Sequence, residues 1–190
     1  MRAAVLSENR PELELTTVDD PVPTGDDVVL AVEGCGICGS DLHVASAVGP
    51  PGTIMGHEIT GVVEAHGPDA DPDRWPVGRQ VVARPFTGCG TCRWCEADRP
   101  DHCEHFGLVG LERAGGFAEL VAVSGRELFD VPATLAAPER ALVEPLAIAR
   151  HALRRAGFVP GEPILVLGGG PIGLATTAWA RALGDGPIVV

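Results

Sequence analysis

The chain has 190 residues, of which 45% are hydrophobic, so it can bury one good core or parts of two. Its formal net charge is −12, and all 14 basic residues are arginines. An acidic chain without a basic stripe is a poor nucleic-acid binder. The absence of lysine excludes Schiff-base chemistry and a lysine-containing phosphate loop.

The best candidate for a membrane span, residues 164–183, is broken by the sequence GGGP and contains Arg181. We therefore expect no membrane partner. Met1-Arg2-Ala3 leads directly into polar sequence, which predicts that there is no signal peptide. These features favour a soluble, cytoplasmic protein.

Glycine and proline, 25 and 17 residues in the whole chain, punctuate its first two thirds. Short runs of β-forming residues lie between them, a pattern typical of an irregular all-β region with many turns. The predicted strands cover residues 28–32, 59–64, 80–83 and 117–123.

The pattern changes near Pro138. Two helices with proline in or near the first turn are predicted, followed by a buried strand, a glycine turn, a third helix and another strand. Strand, helix, strand predicts a parallel βαβ unit, and we place a domain boundary near residue 150. Because two strands cannot form a stable doubly wound sheet, we expect the chain to be part of a longer protein. The predicted elements are helices 138–142, 145–156 and 171–183 and strands 164–167 and 188–190.

Four cysteines lie in one short segment with the spacing C-x2-C-x2-C-x7-C, namely Cys89, Cys92, Cys95 and Cys103. Four thiolates on one loop are the ligand set of a closed, tetrahedral structural zinc site. The alternative is a pair of disulfides, which are rare in the reducing compartment that we expect for this chain. The segment therefore predicts a structural zinc.

Residues 168–173, GGGPIG, match the G-x-G-x-x-G pattern between a predicted strand and a predicted helix. Gly168 allows the tight turn, Gly170 admits a pyrophosphate to the helix N-terminus and Gly173 permits close helix packing. The alternative is a glycine-rich turn without a ligand. The acidic residue that holds the ribose is expected about 20 residues on, at or just past Val190, so NAD and NADP both stay open. The predicted cofactor-binding residues are Gly168, Gly170, Pro171, Ile172 and Gly173.

A second set of candidate metal ligands lies upstream, in CGICGSDLH and GHEITG. Cys38 and His57 offer a thiolate and an imidazole, and a carboxylate from Glu58 or Glu144 could complete a set of three. A catalytic zinc keeps one position open, so three protein ligands are the right number. Each residue also has a structural interpretation: Cys38 as a buried thiol, His57 as a hydrogen-bonded histidine and Glu144 as a helix N-terminal carboxylate.

These segments together resemble the zinc-dependent medium-chain alcohol dehydrogenases, most closely the polyol and secondary-alcohol branch with sorbitol, butanediol and threonine dehydrogenases. The resemblance covers the chain nearly end to end. It implies a GroES-like β-barrel catalytic domain over residues 1–150, followed by the beginning of a Rossmann doubly wound domain over residues 151–190. It rests on CGICGSDLH, GHExxGxxxxxG, the four-cysteine segment, VEPL and GGGPIG, in this order.

The resemblance also implies roles for particular residues. The positions of Cys38 and His57 ligate a catalytic zinc with Glu58 or Glu144, and those of Ser40 and His43 form a proton relay. It implies two zinc ions per chain, one catalytic and one structural, and NAD or NADP as cofactor. The implied reaction is hydride transfer between an alcohol and the nicotinamide, with zinc as a Lewis acid. A homodimer or homotetramer is expected for the full-length protein.

Three other interpretations stay open. A zinc-ribbon interaction module would explain the cysteines but not the GHE and GGGPIG motifs. A zinc-free quinone reductase of the same superfamily would explain the fold but not Cys38 with His57. A fragment that binds zinc without turnover is the third.

Overall fold

The computed structural model describes residues 1–8 and 11–190, with the backbone only for Val48. Contacts divide the chain into two compact units, Met1–Ala141 and Leu142–Val190. The strands are β1 (Arg2–Leu6), β2 (Leu13–Thr17), β3 (Asp27–Gly36), β4 (Glu58–His66), β5 (Gln80–Ala83), β6 (Phe86–Thr87), β7 (Gly107–Leu108), β8 (Leu120–Ser124), β9 (Leu128–Asp130), β10 (Ile164–Leu165) and β11 (Ile188–Val189). The α-helices are α1 (Gly39–His43), α2 (Arg93–Glu96), α3 (Ala137–Ala141), α4 (Val143–Arg155) and α5 (Pro171–Leu183), with a π-helical turn at Val44–Val48 and 3₁₀ turns at Pro100–His102 and Gly125–Glu127.

An antiparallel five-stranded sheet organises the first unit, in the order β8-β3-β4-β5-β9. Successive side chains of a strand point to opposite faces, so alternate residues of neighbouring strands converge on one core. The predicted β-rich region is confirmed, since β3, β4 and β5 contain the strands predicted at 28–32, 59–64 and 80–83. The buried core contains Val28, Leu30, Ile59, Val63, Trp75, Val81, Ala83, Val109, Val121, Val123 and Leu128.

The pairing of β3 with β4 has two irregularities, one between Val29 and Leu30 and a second close to the end of β3. Val32 pairs with Gly61, whereas Gly34 pairs with Thr60, so Glu33 is an extra residue on β3. Such an insertion is a β-bulge, which bends the strand and re-aims the residues that follow. Beyond the bulge, Gly36 of β3 pairs with the first residue of β4. The bulge therefore sets which residues face each other where β3 ends and β4 begins.

The second unit contains the predicted βαβ arrangement. β10 and β11 pair in parallel, and α5 connects them along the chain. Helix α4 buries Pro145, Ala149 and Leu153, which are four residues apart and so share one face. The indole N–H of Trp179 on α5 donates a hydrogen bond to the Leu146 carbonyl at 2.8 Å, which joins the two helices. Predicted helices 138–142, 145–156 and 171–183 correspond to α3, α4 and α5.

The buried strand predicted over residues 164–167 is shorter and more exposed than expected. The strand is Ile164–Leu165, and Leu165 and Leu167 are 63% and 89% exposed, whereas Val166 is 8% exposed. Val166 lies close to α5, near Gly173, while the side chains on either side of it point to the opposite face of the chain. One helix thus buries only one face of the strand.

Two further features were not predicted correctly. The predicted strand 117–123 begins only at Leu120, because the N–H and C=O of Phe117 bond Met55 and Ala4 instead of a sheet neighbour. The antiparallel pair β1–β2 was not predicted, although Leu13 and Leu15 alternate with Glu12 and Glu14; every residue of β2 is exposed. The domain boundary expected near residue 150 falls within α4, and the extent of the domains stays a prediction. None of the helices in the described part of the chain is long and apolar enough to cross a bilayer.

We expect Leu30→Ala to lower the free energy of unfolding by about 2–5 kcal/mol, the usual cost of removing a fully buried leucine side chain. Leu30 is 0% exposed in the sheet core. Leu15→Ala is the matched control, since Leu15 is 73% exposed and its truncation creates no cavity. Denaturant unfolding of both variants measures the difference, and equal losses would contradict this assignment of the core.

Candidate functional site

The four clustered cysteines converge on one point. Cys92 precedes α2, and Cys103 follows the 3₁₀ turn Pro100–His102, so two short turns fold the segment back on itself. The four Sγ atoms all lie within 4.8 Å of one another. All six cysteines of the chain are free thiols, so the alternative of two disulfides is wrong.

The spacing of the sulfur atoms fits a tetrahedral metal. Cys92 Sγ lies 3.6 Å from Cys95 Sγ and 3.8 Å from Cys103 Sγ. Zinc–sulfur bonds of 2.3 Å in a tetrahedron place the sulfurs about 3.8 Å apart. The cluster thus fits a structural zinc with four thiolate ligands.

The surroundings of the sulfurs favour thiolates. The backbone N–H groups of Cys89 and His105 each donate to Cys103 Sγ at 3.2 Å. Hydrogen bonds from the Thr91 backbone and side chain lower the pKa of Cys89 to about 6. Desolvation raises the pKa of Cys95 to about 12. Four adjacent thiols therefore cannot all ionise near neutral pH without a cation between them, and a bound cation supplies that charge.

A second group of metal-ligating atoms forms where β3 ends and β4 begins. The ligand atoms of Cys38, His57 and Glu58 all lie within 4.8 Å of one another. Cys38 precedes α1 just after β3, and the pairing of Gly36 with Glu58 places the two chain segments side by side. The structure therefore brings together three of the four residues proposed for the catalytic metal.

Gly36 makes room for one of these ligands. A Cβ atom on Gly36 would overlap Glu58 Oε2, so only glycine leaves the path of this carboxylate free. Glu58 is 9% exposed, and burial raises its pKa more than the neighbouring His57 lowers it. A buried carboxylate beside a thiol and an imidazole is costly unless it is paired or binds a cation.

Asp41 supports two of the ligands and was missed by the sequence analysis. It is 6% exposed, and its Oδ2 accepts a hydrogen bond from the Cys38 backbone N–H at 2.8 Å. Its Oδ1 lies 3.4 Å from His57 Nδ1, which leaves His57 Nε2 available for a metal. An acidic residue three positions after the residue that precedes a helix is a capping-box signal, and C-x-x-D could have revealed Asp41.

The electrostatics of this pair are consistent with such support. Hydrogen bonding to Asp41 raises the pKa of His57 to about 9 in the metal-free site, although burial acts in the opposite direction. Burial alone would raise the pKa of Asp41, but contacts with His57 and the Cys38 N–H outweigh it and lower the pKa. Asp41 is therefore a carboxylate at neutral pH and fixes the orientation of the imidazole ring.

Two of the remaining predicted residues lie on α1, and one lies in the second unit. Ser40 and His43 are exposed on α1, three residues apart, and so share one face of that helix. Glu144 lies in the second unit, in the first turn of α4. Burial raises the pKa of the Cys35 thiol to about 12, so Cys35 is a neutral packing residue.

The glycine loop of the second unit has the form that a pyrophosphate requires. Gly168 adopts a φ of +106°, which a side chain would strain, and a Cβ on Gly173 would overlap the Gly168 carbonyl oxygen. A Cβ on Gly169 or Gly170 would meet nothing within 4 Å, so the backbone there is open to a ligand. Gly170 directly precedes Pro171 at the start of α5, where free N–H groups and the helix dipole favour an anion.

Comparison with known proteins agrees with this geometry. The family model for the alcohol dehydrogenase GroES-like domain matches residues 24–133. The chain is 37% identical over 175 residues to L-galactonate-5-dehydrogenase of Escherichia coli, covering 90% of this chain and 49% of that protein. It is 34% identical over 197 residues to sorbitol dehydrogenase of Bacillus subtilis, covering 100% of this chain and 55% of that protein.

Solved structures show the same similarity. Acetophenone reductase of Geotrichum candidum, in complex with NAD, matches with a TM-score of 0.83 and 30% identity over 96% of this chain and 55% of that one. A zinc-binding dehydrogenase of Sinorhizobium meliloti, bound to NADP, matches with a TM-score of 0.85 and 34% identity over 98% and 54%.

The chain therefore belongs to the alcohol dehydrogenase family with a GroES-like domain. The predicted fold, a GroES-like domain followed by the start of a Rossmann domain, is confirmed by these similarities. The chain spans about half the length of the curated relatives that it matches.

We expect Cys103→Ser to reduce the zinc content of the chain and to lower its melting temperature, because three thiolates hold the ion less well than four. Cys35→Ser is the matched control, since it removes a cysteine that belongs to neither group of ligands. Elemental analysis and thermal unfolding of both variants measure the effect. Unchanged zinc content in Cys103→Ser would rule out the four-cysteine site.

Proposed function

We propose that this chain is the zinc-binding part, with the first portion of the dinucleotide-binding part, of an NAD(P)-dependent alcohol dehydrogenase that oxidises secondary alcohols or polyols. The observation that carries the proposal is the convergence of Cys38, His57 and Glu58, with Asp41 behind them. A zinc-free quinone reductase would not require this set of metal ligands. The names of the relatives, galactonate and sorbitol dehydrogenases, support polyols as the substrate class.

In this proposal Cys38, His57 and Glu58 hold a catalytic zinc, which supplies Lewis-acid polarisation of the substrate hydroxyl when it is bound. Asp41 keeps the proton of His57 on Nδ1, so that Nε2 faces the ion. The thiolate and the carboxylate are both anionic ligands, so they offset the charge of a divalent ion within a partly buried site. Glu144 stays a candidate ligand from the family resemblance.

Ser40 and His43 are proposed to carry the substrate proton to solvent. They lie on the helix that begins directly after Cys38, and both side chains are exposed. The Ser40 hydroxyl can accept a proton and donate one, and the two ring nitrogens of the His43 imidazole can do the same. A relay on the outer face of α1 would release the proton without opening the metal site.

Residues 168–173 are proposed to bind the pyrophosphate of NAD or NADP, and the cofactor carries the hydride. The second ion is proposed at the four-cysteine site, where it stabilises the fold. By family resemblance we also propose a homodimer or homotetramer of the whole protein, a cytoplasmic location, and no nucleic-acid or membrane partner.

Zinc content tests the catalytic site. We expect two zinc ions per chain in the parent protein and one in Cys38→Ala and Glu58→Gln, because the remaining two ligands hold the ion weakly. Glu144→Gln is the matched control that decides between the two glutamates. Loss of zinc in Glu144→Gln with retention in Glu58→Gln would reverse their roles, and a single zinc in the parent chain would remove the catalytic site from this proposal.

Cofactor binding tests the glycine loop and separates a competent cofactor site from a fragment that only binds zinc. We expect Gly170→Val to weaken NADH or NADPH binding about tenfold with little loss of stability, because a Cβ atom there meets no protein atom within 4 Å but the side chain occupies the path of the pyrophosphate. Gly169→Val is the control, since it adds the same side chain at the variable position of the motif. Nicotinamide fluorescence measures both, and no binding by the parent chain would favour the inactive fragment.

A further inference from the structure

A buried arginine joins helix α3 to the two strands that lead to the candidate catalytic metal site. Arg140 lies in α3, and its side chain is 3% exposed. Its Nε donates a hydrogen bond to Thr60 Oγ1 at 3.1 Å. Its Nη1 donates to the Leu135 carbonyl oxygen and its Nη2 to the Glu33 carboxylate. Thr60 lies on β4 two residues after Glu58, so the guanidinium bonds both strands close to the ligands.

The carboxylate that Arg140 binds belongs to the bulge itself. Glu33 is the residue of β3 without a partner on β4, and the next residue, Gly34, pairs with Thr60. A Cβ on Gly34 would lie 3.4 Å from Thr60 Cγ2 and 3.6 Å from the Ala137 carbonyl oxygen, so the start of α3 packs directly on the bulge. Helix α3 and its arginine therefore cover the point at which the register changes.

We propose that Arg140 is a positioning residue for the Cys38–His57–Glu58 site, acting by holding the Glu33 bulge against β4. The inference rests on the proposed function of that site. With the bulge in place, Gly36 faces Glu58 and Cys38 follows two residues later. Shifting the pairing by one residue would turn each side chain of this segment to the opposite face of the sheet. The register after the bulge thus decides whether Cys38 meets His57.

The contacts separate this role from general stabilisation. Without Arg140, Thr60 keeps a partner, because its hydroxyl also donates to the Val81 carbonyl at 3.0 Å. Glu33, whose side chain is 33% exposed, can be hydrated. Neither group would be left buried without a hydrogen-bond partner. Removal of the Arg140 side chain would therefore mainly loosen the bulge and the residues that follow it.

Arg140→Met tests the proposal, with Arg84→Met as the matched control. Arg84 pairs with Glu127, whose side chain is 5% exposed, so the control also breaks a partly buried ion pair in the first unit. We keep zinc in the four-cysteine site, add cobalt(II) to the second site, and record its thiolate charge-transfer absorption. Zinc affinity is measured by competition with a chelator. Hydrogen exchange reports the amides of residues 34–36 and 58–60.

In Arg140→Met we expect a weaker thiolate band, a zinc dissociation constant raised about tenfold, the low end of the effect of losing a direct partner of a ligand, and faster exchange in residues 34–36 and 58–60. Arg84→Met should lower the melting temperature without these changes. Glu33→Gln keeps a hydrogen-bonding side chain on the bulge, so its zinc dissociation constant and exchange rates should lie between those of the parent chain and Arg140→Met. It replaces Arg140→Met in the test if that variant does not fold.

An unchanged cobalt spectrum and zinc affinity in a folded Arg140→Met would overturn the positioning role while leaving the proposed function intact. The same changes in Arg84→Met would reduce the role of Arg140 to general stability. If the parent chain binds no metal at Cys38, the proposed function fails, and the exchange rates of residues 34–36 and 58–60 still decide whether Arg140 holds the bulge.

Discussion

The register of β3 against β4 is the constraint on which the candidate catalytic site depends. The two strands carry no ligand inside their paired length except Glu58 at the very start of β4, and Cys38 and His57 lie just beyond their ends. Whatever fixes the pairing there also fixes the distances between thiolate, imidazole and carboxylate. The bulge at Glu33 sets this pairing, because an extra residue on β3 changes the register of the residues that follow it. The pairing before the bulge, which has its own shift between Val29 and Leu30, can then satisfy the packing of the core, while the last residues of β3 take the positions that the site requires.

The two groups of ligands differ in how the chain assembles them. The four cysteines lie within one segment of 15 residues, from Cys89 to Cys103, and two short turns are enough to bring them together. Closing so short a loop costs little conformational entropy, so the ion itself can drive the folding of the segment. Cys38 and His57 instead meet through a sheet that must already be paired. The first group thus stabilises structure, whereas the second depends on it.

Charge explains why both groups favour a cation. Each gathers metal-ligating groups at short distances in a partly buried place. Hydrogen bonds from Thr91 lower the pKa of Cys89 to about 6, whereas desolvation raises that of Cys95 to about 12. At the second site, hydrogen bonding to Asp41 raises the pKa of His57 to about 9, so a metal must displace a proton there. Asp41 can therefore pair with His57 in both of its forms, the imidazolium and the metal-bound imidazole.

Short-range signals determined most of what the sequence could predict. Spacings of a few residues indicate the four-cysteine site, the glycine loop and the βαβ order, and short runs of β-forming residues indicate strands β3, β4 and β5. Family motifs added the ligands Cys38 and His57. Only the tertiary structure shows the rest: that Glu58 lies beside Cys38 and His57, how Asp41 reaches His57, and that Arg140 binds Glu33 from 107 positions away. The physical reason is that strand pairing and buried ion pairs join residues distant in the chain, and no local pattern specifies the partner.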